Sequence, residues 1–240
     1  MDVLEATIRT RGEITFTSRE VGRLADTEPY VLNTALYYAL GLASGRYVDR
    51  SFEPTYVDDT DSIADAVYVS PAAPVPGTTP NYVTTTYNAT RDEYAVLNYA
   101  AEDDPYEGRN LPSYGRRRSL GCGTDLRFFV VPQERDAATV ANDLPQYARI
   151  GKKRGKARID LIVREATRRF GSFQLNHPIG AYDHDATPLG NVVSKSMQPT
   201  PIILQADYEG EYLCIDRDGA DTEPESVQLP SGLTFLATKR

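Results

Sequence analysis

The sequence predicts a strand-rich α+β fold, and three observations carry this prediction. Short segments of β-branched and aromatic residues recur along the chain, separated by turn-forming Gly, Pro, Asn and Asp. Residues 30–42 instead place their apolar side chains at helical spacing. The chain has 240 residues and a mean hydropathy of −0.44, with no long apolar run, which is typical of a soluble globular protein with a sizeable core.

The N-terminal elements are one strand and one helix. Apolar and polar residues partly alternate over residues 2–9, which predicts the first strand, and residues 13–16 extend it or pair with it. The helix follows, with Thr27 placed as its N-cap and Pro29 in its first turn. This helix is expected to pack on the sheet and to do no chemistry.

The middle of the chain is predicted to be β-rich around one irregular insertion. A short strand is expected at 67–69, and residues 81–87 and 94–99 are predicted to pair as a hairpin. Residues 100–123 are polar and rich in Gly and Pro, and such long insertions are uncommon in a compact domain unless they have a function. A strand is then predicted at 126–131.

The last part of the chain is predicted to add one helix and several strands. Residues 140–144 suit a short helix that ends at Pro145, and apolar residues alternate over 159–163. Three further strands are predicted in the C-terminal third, the first two joined by a turn: 201–206, 211–215 and 233–237.

Charge is distributed unevenly along the chain. The net charge is −8, yet residues 105–170 hold 15 Lys and Arg against 7 Asp and Glu. Residues 1–104 carry a net charge of −10, and residues 171–240 carry −6. The cations of the middle region form two clusters, at 109–118 and 149–158. A basic region in an acidic chain predicts a polyanionic ligand.

The ligand that best fits these clusters is an RNA backbone. Gly151 and Gly155 lie between the cations of the second cluster, where they would let backbone N–H groups approach phosphate. The Gly-x4-Gly-Lys-Ser/Thr pattern of nucleotide-binding loops does not occur. These features favour a nucleic-acid strand over a nucleotide. The alternative is a solvated loop whose arginines only face water.

The acidic surface has a composition of its own. Asp outnumbers Glu by 20 to 14, and only 5 of the 26 basic residues are Lys, which resembles proteins of salt-loving archaea. The Debye length falls to about 3 Å at 1 M salt, so phosphate contacts weaken there. Base stacking and bidentate Arg contacts then carry more of the binding, and 16 Tyr and 7 Phe supply stacking surfaces.

Few features indicate a metal, cofactor or membrane. Cys122 and Cys214 cannot form a disulfide scaffold or a ligand pair. His177 and His184, the latter beside Asp183 and Asp185, lie in a polar loop without a third ligand at metal-site spacing. We expect no cofactor and no metal. No signal peptide and no span of roughly 18 apolar residues is visible, so a cytoplasmic location is expected.

Six short motifs, in order over about the first 165 residues, resemble those of one family. They are Ser18-Arg-Glu-Val-Gly-Arg-Leu24, Thr27-Glu-Pro-Tyr30, Asn33-x-Ala-Leu-x-Tyr-Ala-Leu40, Asn110-Leu-Pro-Ser-Tyr-Gly115, Leu126-Arg-Phe-Phe-Val130 and Pro145-x-x-x-Arg-Ile-Gly-Lys152. This succession resembles the Csc-one family, the type I-D member of the Cas-five group of CRISPR Cascade subunits in the RAMP superfamily.

The resemblance implies a fold and a role. It implies a single RAMP-type domain with a ferredoxin-like (RRM-like) antiparallel sheet core and an inserted thumb, which we place at about 100–123. Residues 171–240 would be a β-rich extension. The implied role is antiviral defence: the subunit binds the 5′ handle of crRNA and caps a filament of Cas-seven-type backbone subunits. It would contact a Cas-ten-like large subunit and meet target DNA only through the assembled complex.

The residues expected to bind RNA lie mostly in the two basic clusters. Phosphate contacts are predicted for Arg109, Arg116, Arg117, Arg118, Lys152, Lys153, Arg154 and Lys156. Arg149 and Arg158 are predicted to make bidentate contacts, and Tyr114 and Tyr147 to stack on bases. Arg19 and Arg23 match the N-terminal motif and either touch RNA or build the fold.

Two alternatives remain open at this point. Some Cas-five relatives are metal-independent endoribonucleases that process repeat RNA, and a histidine, a Tyr and Lys153 could supply such chemistry. The resemblance itself implies a non-catalytic subunit, because a separate Cas-six-type enzyme is expected to cut the precursor. The other alternative is an RRM-like binding domain outside CRISPR.

Overall fold

The computed structural model describes residues 1–21, 24–45, 55–89, 113–152, 154–216 and 226–239. Its strands are β1 Asp2–Thr10, β2 Arg19–Val21, β3 Leu24–Asp26, β4 Val67–Val69, β5 Ala73–Pro74, β6 Tyr82–Ala89, β7 Ser113–Leu120, β8 Asp125–Pro132, β9 Tyr147–Ile150, β10 Gly155–Leu175, β11 Ile179–Gly180, β12 Gly190–Lys195, β13 Ile202–Asp216 and β14 Ser226–Pro230. The helices are α1 Asn33–Ala39, α2 Tyr56–Thr60, α3 Ala137–Asp143 and a 3₁₀ helix, Ala237–Lys239.

The described strands form a large antiparallel sheet and a small sheet beside it. The large sheet has the order β11-β13-β10-β1-β8-β4, and β5, β9, β12 and β14 pair at its margins. The small sheet has the order β2-β3-β7-β6, in which β3 and β7 run parallel. The fold is thus strand-rich α+β, as the sequence predicted.

The centre of the large sheet buries one face against the helices. Leu4, Ala6 and Ile8 alternate along β1 and are fully buried in a cluster that includes Leu36 of α1 and Val140 of α3. Strict alternation in a strand sends the intervening side chains to the opposite face. That opposite face is therefore the one turned away from α1 and α3.

The helix of the N-terminal region is shorter than predicted. It begins at Asn33, and Leu32 caps it without a side-chain hydrogen bond. Thr27 does not cap it, because its hydroxyl instead donates to the Phe16 carbonyl at 2.8 Å and accepts from the Phe16 amide at 3.1 Å. The Thr27 side chain, which the sequence predicted to cap the helix, therefore makes a tertiary contact with Phe16 instead.

The predicted hairpin and insertion differ from the structure. β6 pairs with β7 from Tyr82↔Leu120 to Ala89↔Ser113, a pairing that the sequence did not predict. Residues 90–112, which include 94–99, lie outside the described residues. The end of the predicted irregular segment, 113–120, is a strand, because the backbone groups of the three arginines pair on both sides with β3 and β6.

Two C-terminal predictions are wrong. The expected turn at 207–210 is part of one continuous strand, β13, which pairs with β10 from Ala206↔Leu175 to Ile215↔Ala166. Gly210 faces Gly171 in this ladder, and both have positive φ, which glycine adopts without steric cost while the pairing continues on either side. Residues 233–237 form no strand.

The other short predictions agree with the structure. The strand at 67–69 is β4, that at 126–131 is β8, and that at 159–163 is part of the longer β10. The helix predicted at 140–144 is α3, which begins earlier because the Asp136 carboxylate accepts from the Thr139 amide at 3.0 Å. No helix of the described residues is long and apolar enough to cross a membrane.

A buried carboxylate joins the C-terminal part to the first half of the chain. Asp183 is fully buried and accepts hydrogen bonds from the Asn33 amide at 2.7 Å and the Tyr68 hydroxyl at 2.9 Å. The backbone amides of Gly180 and Leu236 also donate to it, at 2.9 and 3.1 Å. Burial raises the pKa of Asp183 above its ordinary value, and these hydrogen bonds oppose the rise. They also hold residues 234–236 in the loop that the sequence predicted as a strand.

Replacing this carboxylate should destabilise the whole chain. Asp183→Ala leaves four buried donors without an acceptor, and we expect it to lower the free energy of unfolding by about 3–5 kcal/mol. Asp185→Ala is the matched control, because Asp185 is exposed two residues away; its effect should stay within about 0.5 kcal/mol. Urea denaturation followed by circular dichroism measures both, and equal midpoints for the two variants would contradict this role.

Candidate nucleic-acid interface

One segment, residues 11–16, follows β1 and lies between the β9–β10 hairpin and the end of β7. On one side, the Arg11 amide donates to the Lys156 carbonyl and the Lys152 amide donates to the Thr15 carbonyl, both at 2.8 Å. On the other side, Ile14 pairs with Leu120 through two backbone hydrogen bonds of 2.9 Å. The β9–β10 hairpin and the C-terminal end of β7 therefore lie about two strand spacings apart, roughly 10 Å.

The first basic region is the hairpin of β9 and β10. Arg149 lies opposite Lys156, and Tyr147 lies opposite Arg158, so all four side chains share one face of the hairpin. All four are exposed, and Tyr147 retains 66% of its accessible surface. The residues between them, such as Ala148 and Ala157, are buried. We call these four residues the basic hairpin face.

The charges of this face are only partly compensated. Arg158 forms an ion pair with Asp160 at 2.7 Å. Arg149 donates to the Arg154 carbonyl at 3.2 Å, and among the described residues neither Arg149 nor Lys156 has a carboxylate within ion-pair distance. Like charges directly across a strand pair are destabilising. Two such cations on neighbouring strands favour an anionic partner.

The glycines of the hairpin turn have a packing role, whereas the sequence predicted that they let backbone N–H groups approach phosphate. A Cβ on Gly151 would lie 2.6 Å from the Thr15 carbonyl oxygen, and one on Gly155 would lie 2.2 Å from that of Glu13. These glycines allow the turn to pack against residues 13–15. The Lys152 amide is bonded to Thr15, so this part of the turn does not offer its N–H groups to phosphate.

The side chains of the turn point outward. Lys152 and Arg154 are both exposed, and the Lys152 ammonium donates to the Thr17 hydroxyl at 2.7 Å. Arg154 has a positive φ of 52°, which closes the turn. Lys152 and Arg154 would therefore contribute to the binding of an anionic ligand through their side chains alone.

The second basic region is β7, where strand geometry separates the three arginines. Arg118 forms a bidentate pair with the buried carboxylate of Asp26, at 2.6 and 2.8 Å, and its guanidinium lies 4.6 Å from the Tyr82 ring centroid. Hydrogen bonding to Asp26 raises the pKa of Arg118. Arg116 shares that face and is exposed, whereas Arg117 lies on the other face and is half-buried. They do not act as one cluster.

The predicted site residues are distributed unevenly over the structure. Arg109, Lys153 and Arg23 lie outside the described residues. Tyr114 and Arg19 have defined backbone positions, in β7 and β2. The structure brings Tyr147, Arg149, Lys156 and Arg158 together on one hairpin and places Lys152 and Arg154 at its turn. Arg116–Arg118 lie between β3 and β6, on the strand whose last residue, Leu120, pairs with Ile14 of the 11–16 segment.

Sequence reasoning missed cations on β1. Arg9 lies opposite Arg158 in the β1–β10 register, and the exposed Arg11 donates its amide to Lys156, so both extend the basic hairpin face. Arg9 also forms a bidentate pair with Asp125, at 2.7 and 2.6 Å. Their position on the polar side of an alternating strand could be inferred from the sequence. The pairing of that strand with β10 could not.

The two histidines have structural partners. His177 is buried, with its Nε2 atom 2.9 Å from the Ser70 hydroxyl and its ring edge-on to Phe129. The His184 Nε2–H donates to the Ser231 carbonyl and Nδ1 accepts from the Ala186 amide, both at 3.0 Å. Burial lowers the pKa of His184, which favours this neutral form. The described residues contain no group of three or more His, Cys, Asp or Glu arranged to hold a metal ion.

Comparison with known families gives one match, over residues 1–238, to the type I-D CRISPR-associated protein Cas5/Csc1. The chain belongs to the Cas5/Csc1 family. This membership agrees with the resemblance seen in the sequence and supports a role as a subunit of a CRISPR complex.

Other comparisons with this Cas5/Csc1 chain are more distant. No curated protein matches it. It is similar to a CRISPR protein from Archaeoglobus fulgidus, at 11% identity and a TM-score of 0.41, over 95% of this chain and 98% of the other. A chain of the type III-B Cmr-beta complex bound to cognate target RNA gives 10% identity and a TM-score of 0.46, over 87% and 85% of the two chains.

Alanine variants of two β7 arginines should differ in their effect on the stability of the fold. Arg118→Ala removes two charge-assisted hydrogen bonds from the buried Asp26 carboxylate, and we expect a loss of about 2–4 kcal/mol in the free energy of unfolding. Arg116→Ala removes an exposed side chain of the same kind two positions away, so its effect should stay within about 0.5 kcal/mol. Urea denaturation compares them; a similar loss from both would contradict the separation.

Proposed function

We propose that this chain binds the 5′ handle of crRNA as a structural subunit of a type I-D CRISPR Cascade complex. The observation that carries the proposal is the position of residues 11–16, which join the β9–β10 hairpin on one side and the C-terminal end of the arginine strand β7 on the other. A single RNA strand laid along this segment would meet cations on both sides. Family membership supplies the kind of complex in which such a strand is found.

The charges of the interface suit a phosphate backbone. Arg149, Lys156, Arg116 and Lys152 are exposed, and a guanidinium can bind phosphate in a bidentate geometry. Tyr147 offers an exposed ring among them, and base stacking contributes about 1–3 kcal/mol per base. Arg118 has its Asp26 partner, so in this proposal it supports β7 and leaves the phosphate contacts to its neighbours.

The topology supports a ferredoxin-like core. The strands β10-β1-β8-β4 are neighbours in that order, α1 connects β1 toward β4, and α3 connects β8 toward β10. RRM domains bind RNA on the sheet face that carries no helices. The basic hairpin face lies on the side of the sheet that carries no helices. The opposite, buried face of the same hairpin packs with Leu36 and Val140 of the helices. In this proposal the β6–β7 hairpin is the base of the thumb.

The proposed partners follow from the family. As a type I-D Cas5/Csc1 protein, the chain would cap a filament of Cas-seven-type backbone subunits and contact a Cas-ten-like large subunit. Target DNA would meet it only through the assembled complex. Each of these proposed contacts can be tested by pull-down experiments with the individual neighbouring subunits.

The proposed role is non-catalytic. Metal-independent RNA cleavage needs a general base and acid beside the scissile phosphate. His177 is buried against Ser70 and Phe129, and both ring nitrogens of His184 hold backbone groups. We therefore expect no cleavage when the purified chain is incubated with labelled repeat RNA in EDTA. A defined product that disappears on His184→Ala would favour the endoribonuclease alternative.

The number of phosphates bound can be measured from the salt dependence of binding. For single strands, the slope of log K against log salt changes by about 0.7 for each phosphate that the protein no longer neutralises. The double variant Arg149→Ala/Lys156→Ala should therefore reduce the slope by about 1.4, measured by fluorescence anisotropy with a labelled handle RNA.

The matched control removes the same two charges elsewhere. Arg135 pairs with Asp143 beside α3, and the Lys239 ammonium lies 4.4 Å from the Tyr182 ring centroid. Arg135→Ala/Lys239→Ala should leave the slope unchanged. Equal slopes for the wild type and the Arg149/Lys156 variant would exclude direct phosphate contact by the basic hairpin face.

A further inference from the structure

An open groove of about 750 Å³ lies beside the hairpin turn, and four aromatic rings are part of its lining. Phe16, Tyr30, Tyr38 and Tyr56 contribute rings, and Lys152 stands at the groove with its ammonium held by the Thr17 hydroxyl at 2.7 Å. Pockets of this volume are typical of sites for small ligands or ligand groups. We call it the aromatic groove.

Tyr38 is the ring best prepared to receive a flat ligand. It is 38% exposed, and its hydroxyl donates to the Asp59 carboxylate, which also accepts from the Thr55 hydroxyl at 2.9 Å. The Tyr56 ring contacts it edge-on, with centroids 6.2 Å apart. An aromatic side chain fixed at both its hydroxyl and its edge loses little freedom when another ring stacks on it.

The charged side chain that lines the aromatic groove is a cation, Lys152. Lys152 has a neutral partner, Thr17, whereas Lys195 pairs with Glu28 at 2.9 Å and lies 5.6 Å from the Tyr30 ring centroid. Glu28 is thus neutralised by Lys195, whereas Asp59 keeps its negative charge, because its donors Tyr38 and Thr55 are neutral. Lys152 remains as the lining cation without an acidic partner among the described residues.

The position of Lys152 connects the aromatic groove to the proposed RNA path. Its amide is bonded to Thr15 in the 11–16 segment, and its side chain reaches Thr17, which lines the groove. A strand that follows residues 11–16 therefore passes the mouth of the aromatic groove at Lys152. Aromatic rings beside a cation on such a path are the arrangement by which proteins bind unpaired bases.

We infer that the aromatic groove binds one unpaired nucleobase of the RNA strand, stacked on Tyr38, with Lys152 on the adjoining phosphate. This inference rests on the proposed function and adds to it a base-binding site away from the basic hairpin face. The Tyr38 ring supplies the stacking surface, and its hydroxyl keeps the ring in place through Asp59. A protein side chain in the groove is the competing occupant, and the experiment distinguishes the two.

The test uses the full chain and handle RNAs that carry 2-aminopurine at one position at a time. Stacking quenches this base, so one position should lose fluorescence on binding to the wild type and keep it on binding to Tyr38→Ala. Tyr38→Ala should weaken RNA binding about 5- to 150-fold. Tyr38→Phe keeps the ring but loses its bond to Asp59, so it should retain the quenching and weaken RNA binding less than Tyr38→Ala does. Circular dichroism confirms that each variant is folded.

Phe170→Ala is the matched control, because Phe170 is the most exposed aromatic side chain among the described residues and lies on the β10–β13 ribbon. It should change neither affinity nor quenching. If RNA binds with the expected salt slope but Tyr38→Ala leaves affinity and quenching unchanged, the inference is overturned and the proposed function stands. If Tyr38→Ala instead abolishes binding of a neighbouring complex subunit with RNA binding intact, the groove is a protein-docking site and the inference is again overturned. If the wild type binds no RNA, the inference and the proposed function are both overturned.

Discussion

Thr15 is the residue on which the arrangement of the basic regions depends. Its carbonyl accepts the Lys152 amide at 2.8 Å, and its hydroxyl lies 2.9 Å from the Ser119 hydroxyl, one residue beyond the arginines of β7. One side chain and one carbonyl thus join the hairpin turn to the arginine strand. Gly151 permits this contact, because any Cβ there would collide with Thr15. The hairpin turn and the end of the arginine strand are neighbours because the backbone between them is bonded on both sides.

Two buried carboxylates show how an acidic chain uses its charge. Asp26 fixes Arg118 and thereby β7, whereas Asp183 ties α1 and β4 to the C-terminal loop through four hydrogen bonds. A buried carboxylate is tolerated only when its oxygens are satisfied, and both are. Both carboxylates therefore have structural roles. The cations that remain exposed, such as Arg116 and Lys156, are the ones available to a ligand.

The proposed interface combines charge with aromatic surface. Tyr147 lies among cations on the basic hairpin face, and Tyr38 lies in the aromatic groove on the other side of the turn. Stacking is less sensitive to salt than phosphate contact, because it does not depend on counterion release. If the acidic composition reflects a saline environment, these rings would keep the RNA bound where the phosphate contacts weaken.

The sequence by itself determined the strand-rich α+β class, the elements β1, β4, β8 and α3, the charge asymmetry and the family motifs. Alternation and local charge are properties of neighbouring residues, so they can be read along the chain. Only the tertiary structure decided that Arg116–Arg118 form a strand, that Thr27 bonds to Phe16 instead of capping a helix, and that β13 runs straight through 207–210. Each of these depends on a partner distant in sequence, and such a partner overrides local propensity. The aromatic groove was equally invisible, because Phe16, Tyr38, Lys152 and Met197 meet only in the folded chain.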